Sequence, residues 1–402
     1  MPNTLLTISM ITREALRVLT NNLTFTKQVN RQYSDKFAIE GAKIGSTVNA
    51  RKPPRYVGRT GPALSVEDAT ETQVPVTLTT QFGVDISFTS QELTLSIDDF
   101  SERFIQPAIA AVANKIDFDG LQLYRTVANT VGTPGTVPSA LLTYLDSGVA
   151  LDNNSAPMDG KRSLCINPRM QATIVDNLKG LFQSSEKIAQ QYEKGKMGEA
   201  IGYKWYMDQN VAVHQVGPLG GAPAVNGAGQ TGSNLVTNAW TAAAALRLRA
   251  GDVFTIANVF GVNPQNRQTT GQLQQFVVTA NVSSDGAGNA TIPIFPAIVT
   301  SGAFQTVTAS PAGGALLTVL GAANTNTPQG LAFHKDAFTF VSADLQMPRG
   351  VDMAARVSDP QTGISIRMVR AYNISTDQFP CRLDVLYGWK ELYPENACRI
   401  AS

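Results

Sequence analysis

Residues able to do chemistry are few in this chain of 402, and their spacing does not suit the chemistry they could do. The two histidines, His214 and His334, stand in no H-E-x-x-H or cysteine-rich setting that would hold a metal. A lone histidine in a strand is a structural residue before it is a ligand. No G-x-S-x-G elbow is present to expose a nucleophilic serine. EKGKMG at 193–198 lacks the first glycine of a phosphate-binding loop, and Gly217, Gly220 and Gly221 have no strand-to-helix setting for a dinucleotide. Asp98 and Asp99, and Asp117 and Asp119, read as helix-surface carboxylates and not as an acid–base pair. Cys165, Cys381 and Cys398 are odd in number, far apart and without a C-x-x-C, so they read as free thiols in a reducing compartment. No catalytic residue, metal ligand or cofactor site emerges, and structural or binding roles come to the front.

The element that dominates the pattern is residues 96–127, SIDDFSERFIQPAIAAVANKIDFDGLQLYRTV, which predicts one long helix. Ser96 suits the N-cap, and Asp98, Asp99 and Glu102 suit the positive end of the helix dipole. Phe100, Phe104, Ala108, Val112 and Ile116 recur every four residues and make one apolar stripe for packing. Thirty helical residues span about 45 Å, the width of an ordinary domain. Pro107 lies inside the pattern and is expected to bend it.

The net charge of +1 conceals an asymmetry. Residues 1–60 carry ten Lys or Arg against three Asp or Glu, a net of +7, which leaves −6 for the rest. Arg31, Arg51, Lys52, Arg55 and Arg59 are therefore candidates to face nucleic acid or a neighbouring acidic surface. An apolar content of 43% excludes a disordered chain, no apolar run approaches 18 residues, and no signal peptide is recognisable.

Taken in order, residues 1–45 form an arm, helical from near Thr12, with too few apolar residues for a core of its own. Residues 46–95 predict a long β-hairpin whose polar loop is RTGPALSVEDATE; such a hairpin is marginal alone and needs a surface to lie on. The long helix occupies 96–130. Residues 131–216 hold helices at 139–152 and 167–183, with Asn167 as cap and Pro168 in the first helical position, a polar loop at 184–200, and a strand at 203–217. At Gly217 the composition changes. Residues 217–330 contain five charged side chains, Arg247, Arg249, Asp252, Arg267 and Asp285, and 16 of the 33 glycines. Short strand signals recur there between glycine, asparagine and serine turns, as in a small barrel or sandwich inserted into the main domain. Strands return at 331–402 and must complete a sheet begun before residue 217. The fold class is α+β, with an inserted all-β domain.

Four stretches in this order resemble the major capsid proteins of tailed bacteriophages, with the HK97-like fold, and most nearly the coat proteins of short-tailed Salmonella phages that carry an inserted β-domain. They are TREALRVLTNNLTFTKQVNRQY with RKPPRY, the helix start SIDDFSERFIQPAIAAVANKID, GDVFTIANVFGVNPQNRQTTGQLQQFVV in the insertion, and the ending FPCRLDVLYGWKELYPENACRI. The resemblance implies that the hairpin is an extended loop reaching over a neighbouring subunit. It further implies that the long helix is the spine of a peripheral domain, with Phe100, Phe104, Pro107, Val112 and Ile116 as its packing residues, and that an axial domain meets its copies in hexamers and pentamers. It implies an icosahedral shell around double-stranded DNA, assembled in the host bacterial cytoplasm with a separate scaffolding protein, and a portal protein at one vertex. Contact with DNA would be non-specific, decoration proteins are left open, and no membrane is involved. Some relatives join a hairpin lysine covalently to a neighbour; Lys52 is the only lysine on this hairpin, and the insertion-bearing type is expected not to cross-link. An encapsulin-like compartment shell is the alternative with the same fold. An unrelated enzyme or sugar-binding β-protein is the alternative outside it.

Overall fold

The computed structural model describes residues 19, 23–33, 47–64, 66–89, 106–178, 198–358 and 364–402. They belong to two compact units, each assembled from separated stretches. One comprises Met1–Arg51, Gln73–Gly120 and Phe338–Leu392; the other comprises Lys52–Thr72, Leu121–Ala337 and Tyr393–Ser402. The arm helix expected from Thr12, the loop at 184–197, and Phe100 and Phe104 lie outside the described residues.

The first unit is built on the strand Gln378–Glu391. One edge of it pairs antiparallel with Thr80–Thr89 from end to end; the other edge is shared by Ser365–Arg370 and Phe338–Ala343, with Met353–Ser358 beyond. Phe338, Phe340, Leu383, Val385 and Tyr387 are buried in this sheet. The described part of the long helix is Gln106–Leu121. Its Val112 and Ile116 are fully buried. Trp389 Nε1 donates to Ile116 O at 3.2 Å and Tyr387 OH to Asp119 Oδ2 at 2.7 Å, which seats the helix on the sheet. Gly120 permits the closest approach: a Cβ there would stand 2.6 Å from the Trp389 ring and 2.9 Å from the Phe25 ring.

One expectation about this helix changes. It stops at Leu121, and Gln122–Thr126 continues as a 3-10 turn. Thr126 Oγ1 bonds back to Leu123 O at 2.9 Å, the local competition by which threonine weakens a helix end. Pro107 is the second residue of the described helix, and the bend expected there involves residues outside the described ones.

The second unit has a mixed sheet in the order Thr130–Gly132, Ala397–Ala401, Asn326–His334, Arg162–Ile166, Tyr203–Met207, Glu199–Ala200. The helices Leu141–Asn153 and Pro168–Leu178 bury Tyr144, Leu151, Met170 and Ile174 with Leu164, Ile166 and Ile400 of this sheet. Asn167 Oδ1 accepts from Met170 N at 2.7 Å, so the second of these helices starts on a side-chain cap with proline next to it.

Residues 217–325 form a separate β-structure within this unit. Six antiparallel strands run in the order Leu317–Val319, Val253–Val262, Thr269–Val278, Ala290–Ile298, Gly232–Asn238, Ala224–Val225. The two ends meet, because Ala224 bridges Leu316, Val225 N donates to Ala315 O and Leu317 N donates to Pro223 O. The sheet thus closes on itself as a barrel. Leu235, Phe254, Ile256, Phe276, Val278 and Ile292 fill its interior.

Candidate functional site

Three polar constructions hold the parts of this chain in place. The first fastens the arm. Thr24 and Phe25 donate their backbone N–H to Asp117 Oδ2 at 2.6 and 3.3 Å, while Thr26 N and Thr26 Oγ1 donate to Oδ1 at 3.0 and 2.5 Å. The three amides open the 3-10 turn Thr26–Gln28, so they converge on one point as at any helix start. Asp117 is only 2% exposed, which corrects its reading as a helix-surface carboxylate. Helical spacing places Asp117 on a face but cannot show that the arm covers that face. Burial pushes its pKa above the ordinary carboxylate value, against the pull of the Thr26, Thr24 and Phe25 donors. Asp119 does stay partly exposed and pairs with Lys115 at 2.6 Å.

The second construction lies in the second unit, where the barrel leaves the mixed sheet. The strand Val213–Gln215 leads into the barrel and pairs with the start of Asn326–His334, which leads out. Between them Asp252, with its side chain fully buried, accepts from His214 Nε2 at 2.8 Å, Arg249 N at 2.7 Å and Gly217 N at 3.1 Å. The carboxylate holds the ring proton on Nε2, and Nδ1 then accepts from Tyr124 OH at 3.1 Å. Arg399, from the last strand, is buried. Its Nη1 donates to Gly251 O at 2.7 Å and its guanidinium stands 5.7 Å from the Tyr124 ring. Desolvation lowers its pKa to about 10, so it keeps its charge at neutral pH. A cavity of about 10 Å³ lies among Thr130, His214, Asp252, Thr327, Gln329 and Arg399. Gln275 of the barrel adds a two-way clamp on Thr130, accepting from its N–H at 2.6 Å and donating to its C=O at 2.8 Å.

The third construction holds the loop between the strands Thr47–Lys52 and Thr72–Thr77, which pair as a hairpin. Lys52 Nζ lies 4.6 Å from the Tyr393 ring centre, and Arg55 pairs with Glu395 at 3.3 Å. Glu67 reaches across the loop and accepts from Val57 N and Gly58 N, both at 2.7 Å. Arg59 Nη1 donates to Gly61 O. Beyond these ties the loop presents Leu64 and Val66 at 84% and 80% exposure, two apolar side chains open to solvent. Of the candidate basic residues, Lys52, Arg55 and Arg59 thus make contacts within the chain, Arg51 is exposed at the end of its strand, and Arg31 is half-buried in the turn after Asn30.

Sequence reasoning missed Asp117, Tyr124, Asp252 and Arg399. The signal available was the scarcity of charge in residues 217–330: a charged side chain kept in so neutral a segment has a specific partner. Arg247 bears this out, being buried and donating to Ser284 Oγ and to the carbonyls of Leu219, Thr241 and Ala243. The two histidines are structural, His334 bonding Asp159 at 3.1 Å. Among the described residues no group of three His, Cys, Asp or Glu side chains is placed to hold a metal, and no helix is long and apolar enough to cross a membrane.

All three cysteines are free and buried. Burial pushes the Cys381 thiol to about 11 and the Cys398 thiol to about 12. From the ordinary value of 9, a shift to about 11 cuts the thiolate fraction roughly a hundredfold at pH 8. The native chain is therefore expected to leave 5,5′-dithiobis-2-nitrobenzoate nearly unreacted at pH 8, and the chain in guanidinium to titrate all three thiols.

The family model described as P22 coat protein, gene protein 5, matches residues 3–399. The chain belongs to the P22 coat protein family. It is a major capsid protein of the tailed-phage kind, of α+β class with a β-domain inserted into one unit. It self-assembles into a shell and resides in the virion capsid. Solved structures similar to this coat protein include that of Mycobacterium phage Che8, at 12% identity, 94% coverage of this chain, 90% of the other and a TM-score of 0.46. The capsid of the cyanophage P-SCSP1u follows at 10%, 92%, 88% and 0.46, and the mature capsid of bacteriophage PhiM1 at 10%, 89%, 82% and 0.43, in the same order of quantities. No curated protein matches the chain.

Proposed function

We propose that this coat protein forms the hexamers and pentamers of an icosahedral shell that encloses double-stranded DNA, assembled in the host cytoplasm with a separate scaffolding protein, and with a portal protein at one vertex. The observation that carries the reading is the loop at 53–71: its root is pinned and its tip bears exposed Leu64 and Val66. A pinned root with an apolar tip suits a contact with a second copy, and a contact between two different patches closes into rings or extends into sheets. The units at 1–45, 46–95, 96–130, 131–216, 217–330 and 331–402 then act as arm, extended loop, spine, first and closing parts of the axial and peripheral domains, and insertion. The chain acts by assembly and not by catalysis. Arg31, Arg51, Lys52, Arg55 and Arg59 are the candidate basic residues for contact with a neighbouring subunit or, non-specifically, with DNA, and Arg51 is exposed. Lys52 is taken to form no covalent link to a neighbour.

Expression of the chain with its candidate scaffolding protein should yield closed shells by negative-stain electron microscopy. A monodisperse monomer under those conditions would overturn the proposal, and purified particles filled with cargo protein in place of DNA would point to a compartment shell.

A further inference from the structure

The turn between the barrel strands Val253–Val262 and Thr269–Val278 carries Arg267, one of the five charged residues of the insertion. Its guanidinium forks onto the extended loop: Nη1 donates to Tyr56 O at 3.0 Å and Nη2 to Val57 O at 2.7 Å. Val57 and the next residue are also held from within the loop, since Val57 N and Gly58 N donate to Glu67. The arginine is itself held in place. Its backbone has φ +56°, a left-handed conformation that side-chain-bearing residues rarely adopt. Asn263 maintains it: Asn263 O accepts from Arg267 N at 2.8 Å, and Asn263 N donates to Gln268 O at 2.9 Å. Asn263 is also tied to the helix Leu141–Asn153, donating to Asn153 O at 2.9 Å and accepting from Ser155 Oγ at 3.1 Å. An unbroken chain of bonds therefore runs from that helix, through Asn263 and Arg267, to the loop at 56–57. A second contact from the insertion, Phe304 at 5.7 Å from the Arg55 guanidinium, flanks it.

We propose that Arg267 is a positioning residue: through it the inserted domain sets the direction in which the extended loop leaves its own subunit, and so where the tip with Leu64 and Val66 meets the neighbouring copy. The assembly half of this inference rests on the capsid reading; the intramolecular half does not. A strained, braced arginine that grips main-chain carbonyls reads the path of the loop and not its sequence, which suits a device for orientation.

The test uses Arg267→Gly and Arg267→Lys in the full chain. Glycine accepts φ +56° without strain, so R267G removes the fork and leaves the turn intact; lysine keeps the charge and cannot fork. In the isolated subunit, hydrogen exchange over residues 55–60 should quicken roughly threefold or more in R267G while barrel peptides exchange as in wild type. With scaffolding protein, R267G should form a larger share of misclosed or wrongly sized shells, and R267K should fall between it and wild type. Wild-type exchange at 55–60 in R267G would overturn the tether, and faster exchange with wild-type shells would overturn the positioning role. Failure of the wild-type chain to form shells would count against the capsid reading, while the exchange result would still decide the tether.

Discussion

Asp117→Ala is expected to lower the unfolding free energy of the first unit by about 3 kcal/mol, because it leaves four donors of the arm, three of them buried, without an acceptor. Each orphaned donor costs about 1–3 kcal/mol. Part of that is offset because the carboxylate no longer has to be desolvated. Asparagine should rescue little, since its NH₂ must face one of the two donor pairs that the carboxylate oxygens now accept from. Thr26→Val removes a single donor, Oγ1, and is expected to cost about 1 kcal/mol. The graded series can be read by urea unfolding, and locally by loss of exchange protection at residues 24–26. Equal stability of wild type and D117A would show that the arm is not held here. The pH dependence has a definite sign. Asp117 has its folded-state pKa raised above 3.8, chiefly by burial, so its contribution is fully present below 3.8 and declines as pH rises through the shifted value. D117A should lack that part of the pH profile.

Asp252→Ala is expected to cost about 3–5 kcal/mol, because a buried carboxylate with three donors is removed while the buried Arg399 cation stays. His214, Arg249 N and Gly217 N lose their acceptor together, and these groups come from both sides of the point where the barrel begins. Unfolding of the second unit should therefore lose cooperativity, with the junction at 213–217 and 249–253 opening first by hydrogen exchange. The double variant D252A/R399M is expected to recover part of the loss, because it removes the stranded charge along with its partner; a double variant no better than D252A would show that the charge of Arg399 is not what Asp252 balances.

Much of the architecture was legible in residue patterns. The abrupt fall in charge at Gly217, with glycine turns between β-branched runs, marks the insertion because a strand pattern of period two survives without any knowledge of partners. Asn167 followed by Pro168 marks a helix start because both residues act within their own turn. The stripe through Val112 and Ile116 shows which face of the helix is buried for the same local reason. The family resemblance rested on the order of such elements.

What the sequence by itself determined are the features with a short range: caps, periodicities, turn glycines, the neutral composition of the insertion and the absence of metal or nucleophile motifs. Tertiary structure alone decided the use of the charges. Asp117 lies 91 residues from its Thr26 partner, Asp252 lies 38 from His214, Arg399 lies 148 from Gly251, and Arg267 lies 211 from Tyr56. A charge shows no periodicity that betrays its partner; its worth depends on which dielectric it ends in and which donors meet it there. Only the folded chain brings those groups together, so the residues that hold arm, barrel and extended loop in place were visible in the sequence as residue types and became a mechanism only in three dimensions.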